Sequence, residues 1–70
     1  MELKSPSVGK VLRIEVEVGV TVERGSTVII IESMKVEIPI KAPQRGRIKE
    51  LRVKPGDQIQ RSHVLAVLEF

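Results

Sequence analysis

The chain has 70 residues, twelve of them basic and nine acidic, for a net charge of +3, and it contains no cysteine. That length makes one domain, residues 1–70, which buries only about 60% of the surface its unfolded form exposes, so the thin core leaves little room for a deep active site. The lack of cysteine excludes a disulfide framework, thiolate metal ligands and a thiol nucleophile, and the interspersed charges lack the like-charge block of a nucleic-acid-binding arm.

Along the chain the apolar residues recur with period two and most are β-branched, which predicts strands and no helix. Gly9 reads as a turn, followed by a stretch holding Val11, Ile14, Val16 and Val18. Gly19 and Gly25 punctuate the chain before Val28–Ile31, and Val36–Ile40 follows. After Gly46 come Ile48–Val53 and then Pro55-Gly56, where proline presets one dihedral and glycine accepts the positive φ of a type II turn. Val64–Leu68 completes the set, and Phe70, the one aromatic, supplies no stacking platform for nucleic-acid bases. The longest aliphatic run, Val28–Ile31, is far short of a membrane span, and no basic segment precedes an apolar one at the N-terminus. The expectation is a soluble cytoplasmic protein with neither nucleic acid nor membrane as partner.

Sliding the sequence against itself by thirty-seven residues aligns Pro6 with Pro43, Gly9 with Gly46, Val16 with Val53, Gly19 with Gly56, Arg24 with Arg61 and Glu32 with Glu69. Apolar character is also kept between Val11 and Ile48, Ile14 and Leu51, Val22 and Ile59, Val28 and Leu65, and Ile30 and Val67. Two similar four-stranded halves, about residues 5–33 and 42–70, are therefore expected to pack their apolar faces together as a flattened barrel or sandwich. Met34-Lys35 falls at the joint between them. With a strand on each side, a two-residue hairpin turn is the economical connection, and it would project Lys35 into solvent. Such turns prefer Asn-Gly or Asp-Gly, because neither Met nor Lys readily takes positive φ. A local rule broken in this way marks a place where function overrides propensity.

The segment Glu32-Ser33-Met34-Lys35-Val36-Glu37 resembles the attachment motif of biotinyl domains, in which a lysine preceded by methionine is biotinylated. The spacing of Gly9-Lys10-Val11, Val16, Gly19, Val22, Gly25, Val28 and Ile31-Glu32, and then of Ala42-Pro43, Gly46, Ile48, Val53, Pro55-Gly56-Asp57 and Val64-Leu65, is similar to that of the biotinyl and lipoyl superfamily across nearly the whole chain. This resemblance implies an all-β fold, a flattened barrel of two four-stranded antiparallel sheets related by a pseudo-twofold axis, with the modified lysine at an exposed hairpin. It implies a non-catalytic carboxyl carrier: a biotin protein ligase attaches biotin to Lys35, which then visits a biotin carboxylase and a carboxyltransferase. Biotinyl domains commonly have Met, Leu or Ile after the lysine, whereas this chain has Val36, as lipoyl domains do; those usually carry Asp before the lysine, where this chain has Met34. A lipoyl carrier, or an acceptor of both biotin and lipoate, is thus the alternative. An unmodified barrel acting as a protein-interaction module is an alternative of another class. With no insertion between strands and no alanine- and proline-rich tether, the chain most resembles the small stand-alone attachment proteins.

No nucleophile, base and orienting group occur together, so no catalytic residue and no metal ligand is expected. Position alone would make Lys35 an ordinary surface lysine, and Met34 a flexible core filler; motif and repeat assign them instead to attachment and to ligase recognition or arm docking. Glu32 and Glu37 are expected to face each other across the turn, relieved by Lys41 or solvent, or else read with Ser33 by a basic ligase surface. Ser33 reads otherwise as small and permissive, and the lone His63 as a surface residue.

Overall fold

A computed structural model describes residues 1–70 as eight strands without a helix. They are β1 (Glu2–Lys4), β2 (Gly9–Ile14), β3 (Thr21–Val22), β4 (Thr27–Ser33), β5 (Val36–Lys41), β6 (Gly46–Leu51), β7 (Gln58–Ile59) and β8 (Val64–Glu69). All pairings are antiparallel, in two four-stranded sheets ordered β1-β8-β6-β3 and β5-β4-β2-β7. The flattened two-sheet architecture expected from the sequence is what the chain adopts.

The two halves of the repeat do not each make a sheet. A shift of thirty-seven residues carries β1 onto β5, β2 onto β6, β3 onto β7 and β4 onto β8, so each sheet takes two strands from each half. Irregularities repeat too: the register slips between Val11 and Arg13 in β2 and between Ile48 and Glu50 in β6. The slip between Thr27 and Ile29 in β4 leaves Val28 without a partner on β5 and turns both Val28 and Ile29 into the core, which explains an aliphatic run that breaks the period of two. Leu65 and Ala66, their equivalents in β8, are likewise both buried.

Fourteen buried apolar residues form one core, among them Val11, Ile29, Ile31, Ile48, Ile59, Leu65 and Leu68. Strand β2 ends at Ile14, short of the expected stretch, and Val18 lies exposed in the turn that follows, where the Val20 N–H donates to the Glu17 carbonyl. Pro55-Gly56 forms the expected type II turn, closed by the Asp57 N–H to the Lys54 carbonyl at 3.1 Å with Gly56 at φ 93°. Gly9 and Gly46 are not turn residues. They open strands β2 and β6 at ordinary φ, and a Cβ on Gly9 would strike the Glu32 carbonyl oxygen. Close backbone approach, not turn geometry, is what requires glycine there.

The termini and the Met34-Lys35 turn occupy opposite ends of a molecule 32 Å long. The β4–β5 turn lies beside the Ser5–Gly9 segment, and the Ser5 N–H donates to the His63 carbonyl where β8 begins. Strand β8 then runs away to Glu69, and the N-terminal ammonium donates to the Leu68 carbonyl at 2.7 Å.

Candidate functional site

Strands β4 and β5 pair as a hairpin whose last rungs are Glu32 opposite Glu37 and Ser33 opposite Val36, leaving Met34 and Lys35 as the whole turn. Both have positive φ, 52° and 66°, which defines a type I′ turn, the form whose twist matches the flanking strands. Left-handed backbone costs a non-glycine residue about 1–2 kcal/mol. The register of β4 between β2 and β5 imposes that conformation, since β4 is paired with β5 up to Ser33 and with β2 as far as Glu32.

The turn presents its residues outward. Met34 is 93% exposed, Val36 is 59% exposed, and Lys35 is exposed with no hydrogen bond or ion pair engaging its Nζ. A primary amine on a mobile four-carbon stem, held off the body by a tight turn, suits attack on an acyl carbon delivered by another protein. The chain holds no cluster of three or more His, Cys, Asp or Glu residues able to bind a metal.

Glu32 and Glu37 face one another as expected, but Lys41 does not relieve them. Glu37 lies 3.8 Å from the Arg13 guanidinium, which is shared with Glu15, and Glu32 pairs in register with Lys10 of β2 on its other side. Ser33 is more than a small, permissive residue. Only 7% exposed, it places its Oγ 2.8 Å from the Oγ of Ser7, while the Ser5 hydroxyl donates to the Ser7 carbonyl at 2.6 Å. The hydroxyls tie the β1–β2 loop under the hairpin. Sequence reading missed Ser7 and Val8; the thirty-seven-residue repeat could not find them, because their equivalents Gln44 and Arg45 share no character with them. His63 is exposed, as expected of a surface residue.

Beside the hairpin lies an open cleft of about 440 Å³, lined by Pro6, Ser7, Val8, Gly9, Ser33, Met34 and Arg61. It is a surface groove next to Lys35, not an enclosed active site.

A two-sheet barrel presenting an unengaged lysine on a strained hairpin is the form of a carrier domain. A family model described as biotin-requiring enzyme, the biotin/lipoyl attachment family, matches residues 1–68, and the chain belongs to that family. Domains of this family bear covalently attached biotin or lipoate and serve enzyme complexes without being catalytic themselves. The chain is 42% identical over 60 residues to the biotin/lipoyl attachment protein of Bacillus subtilis, covering 86% of this chain and 82% of that protein. It superposes on urea carboxylase from Kluyveromyces lactis with a TM-score of 0.93 and 33% identity, covering 99% of this chain and 6% of that one. The lipoyl domain of the Azotobacter vinelandii 2-oxoglutarate dehydrogenase complex matches with a TM-score of 0.87 and 25% identity over 100% of this chain and 96% of that one. Of the carboxylase and acetyltransferase subunits it also resembles, this chain spans only 5% to 13%.

Proposed function

We propose that the chain is a biotin carboxyl carrier, with Lys35 as the attachment point. The observation that carries this reading is the type I′ turn made of Met34 and Lys35, two residues that such a turn disfavours, with the lysine amine free of any partner. A biotin protein ligase uses ATP to activate the biotin carboxyl as an acyl adenylate. The Lys35 Nζ, once it has given up a proton to solvent, attacks the carboxyl carbon; the amide C–N bond forms as the acyl–phosphate C–O bond breaks and AMP leaves, and the lysine charge is lost. Met34 and Val36 flank the lysine as the apolar part of the ligase's footprint; Glu32 and Glu37, on the outer face of β4 and β5, offer carboxylates to a basic ligase surface. Ser33 contributes by bracing the turn through Ser7. When bound, the biotin ring supplies reversible carriage of a carboxyl group; the domain moves it between a biotin carboxylase and a carboxyltransferase. Tethering makes each visit effectively intramolecular, so reach and effective concentration govern transfer. Similarity to urea carboxylase and to other carboxylase subunits supports those partners.

Incubation with a biotin protein ligase, biotin and ATP is expected to add one biotinyl group to the wild-type chain and none to Lys35→Arg. Unchanged mass of the wild type overturns the reading. Val36, together with 32% identity to an acetyltransferase component of a pyruvate dehydrogenase complex, favours lipoate as the second reading. Lipoylation by a lipoate ligase, with no biotinylation, would establish it. The unmodified interaction module is not favoured, because the matched family carries its cofactor covalently and the lysine of its motif is present here at an exposed turn.

A further inference from the structure

The lysine hairpin overhangs the sheet that carries it. Strand β2 pairs with β4 only as far as Lys10 opposite Glu32, and beyond that rung the tip, Ser33 to Val36, has no ladder partner except its own two arms. A hydroxyl ties the overhang to the barrel: Ser33 Oγ lies 2.8 Å from Ser7 Oγ, and since the Ser7 hydroxyl also donates to the Val8 carbonyl at 3.3 Å, Ser33 is left as the donor. Ser7 is itself fastened. The buried Ser5 hydroxyl donates to the Ser7 carbonyl at 2.6 Å and accepts from the Ser7 N–H at 3.3 Å. The Ser5 carbonyl in turn accepts from the Ser62 N–H at 2.8 Å, and the Ser5 N–H donates to the His63 carbonyl at 2.9 Å. A chain of hydrogen bonds thus runs from the start of β8, through the β1–β2 loop, to the base of the lysine turn.

The other end of the barrel keeps the backbone bond and lacks the hydroxyls. Under the shift of thirty-seven residues Ser5, Ser7, Ser33 and Ser62 correspond to Ala42, Gln44, Phe70 and Gly25. The Gly25 N–H donates to the Ala42 carbonyl at 2.8 Å as Ser62 does to Ser5, but no side-chain hydrogen bond continues from Ala42 or Gln44, and the Phe70 ring packs on Gly46 instead. Closing the barrel therefore does not require the hydroxyls; they belong to the end that carries the lysine. The three non-glycine residues with positive φ, Met34, Lys35 and Ser62, also lie at the two ends of this chain of bonds. Resting on the biotin reading above, we propose that Ser7 and Ser33 are positioning residues for acylation, whose hydroxyl bond holds the overhanging tip in the orientation in which the ligase takes up Lys35. Neither touches the reacting atoms; both act through the turn. A tip ordered in advance does not have to be ordered by the ligase, so loss of the bond weakens uptake of the chain and leaves the chemical step as it was.

The test has two arms. On the bare protein, backbone amide relaxation reads the tip whatever cofactor it receives: Ser7→Ala and Ser33→Ala are each expected to lower the order parameters of Met34, Lys35 and Val36 and to leave those of Ile48 and Leu65 in the core unchanged. Order parameters equal to wild type at the tip overturn the tie. In the second arm, with a biotin protein ligase, biotin and ATP at a temperature where circular dichroism shows every variant folded, either substitution is expected to raise KM for the protein about fivefold, the net worth of one hydrogen bond, while kcat holds. The double variant is expected to lose no more than either single one, because one bond is removed in all three, and Ser7→Thr, which returns a hydroxyl, is expected to recover most of the loss. An unchanged KM, losses that multiply in the double variant, or a fall in kcat that follows Tm overturns the positioning role. Ser7 is only half-buried, so its variants decide the matter if Ser33→Ala does not fold. Wild-type protein that takes no biotin overturns the biotin reading and the acylation role with it, an outcome told apart from failure of the tie by the relaxation arm.

Discussion

Met34 and Lys35 spend backbone energy to hold a lysine where a glycine would be easier. Replacing the pair by Met34→Asn with Lys35→Gly is expected to raise the unfolding free energy by about 1–3 kcal/mol in urea titration while removing the acceptor altogether. No gain in stability would mean that the turn is not strained. Ser62 is a second left-handed residue, at φ 68°, in the position where the other half of the repeat has Gly25 at 85°. Ser62→Gly is expected to stabilise by about 1 kcal/mol, a rise in Tm of roughly 4–8 °C for a domain this small, and a fall in Tm would contradict the assignment. Gly9 works through space and not through φ. Gly9→Ala must push β2 away from the Glu32 backbone and is expected to cost about 1–3 kcal/mol. Gly46→Ala meets the ring of an exposed terminal Phe70 that can swing aside, and its cost in the same titration is expected to be smaller.

Among the elements, the β4–β5 hairpin was the most legible. A β-branched run, two turn residues and a second alternating run announce it, and its register agrees with the expected pairing of Glu32 with Glu37. Strands β3 and β7, two residues each, were not legible, because two residues carry no period. The extra length read into β2 came from Val16 and Val18, whose alternation continues past the point where the backbone turns away from β4. The Ser5–Ser7–Ser33 brace was illegible for another reason: it joins residues 26 positions apart through hydroxyls, which leave no apolar pattern. Pro39 sits on β5, an edge strand where a missing N–H costs no sheet bond and discourages pairing with another chain. Ile31 lies beneath the hairpin at 0% exposure, and Ile31→Ala is expected to cost about 2–5 kcal/mol by calorimetry or urea titration. A cost below 1 kcal/mol would show that the hairpin base is not anchored in the core.

At the scale of the whole molecule, the repeat was visible in the sequence but its meaning was not. A shift of thirty-seven residues specifies which strands are equivalent, yet only three-dimensional pairing shows that β3 crosses to β6 and β7 to β2. Interleaving makes each sheet depend on both halves. Separate peptides of residues 1–33 and 42–70 are therefore expected to show no sheet signal by circular dichroism, and a folded half alone would contradict the interleaved account. The same topology puts the lysine turn and the chain termini at opposite ends of the 32 Å axis. A carrier joined to anything through its termini thus presents its lysine outward. Intact mass and peptide mapping of the protein recovered from its own cells test the central claim most directly. One biotinyl group on the peptide containing Lys35 is the predicted result; a bare or lipoylated Lys35 would contradict it.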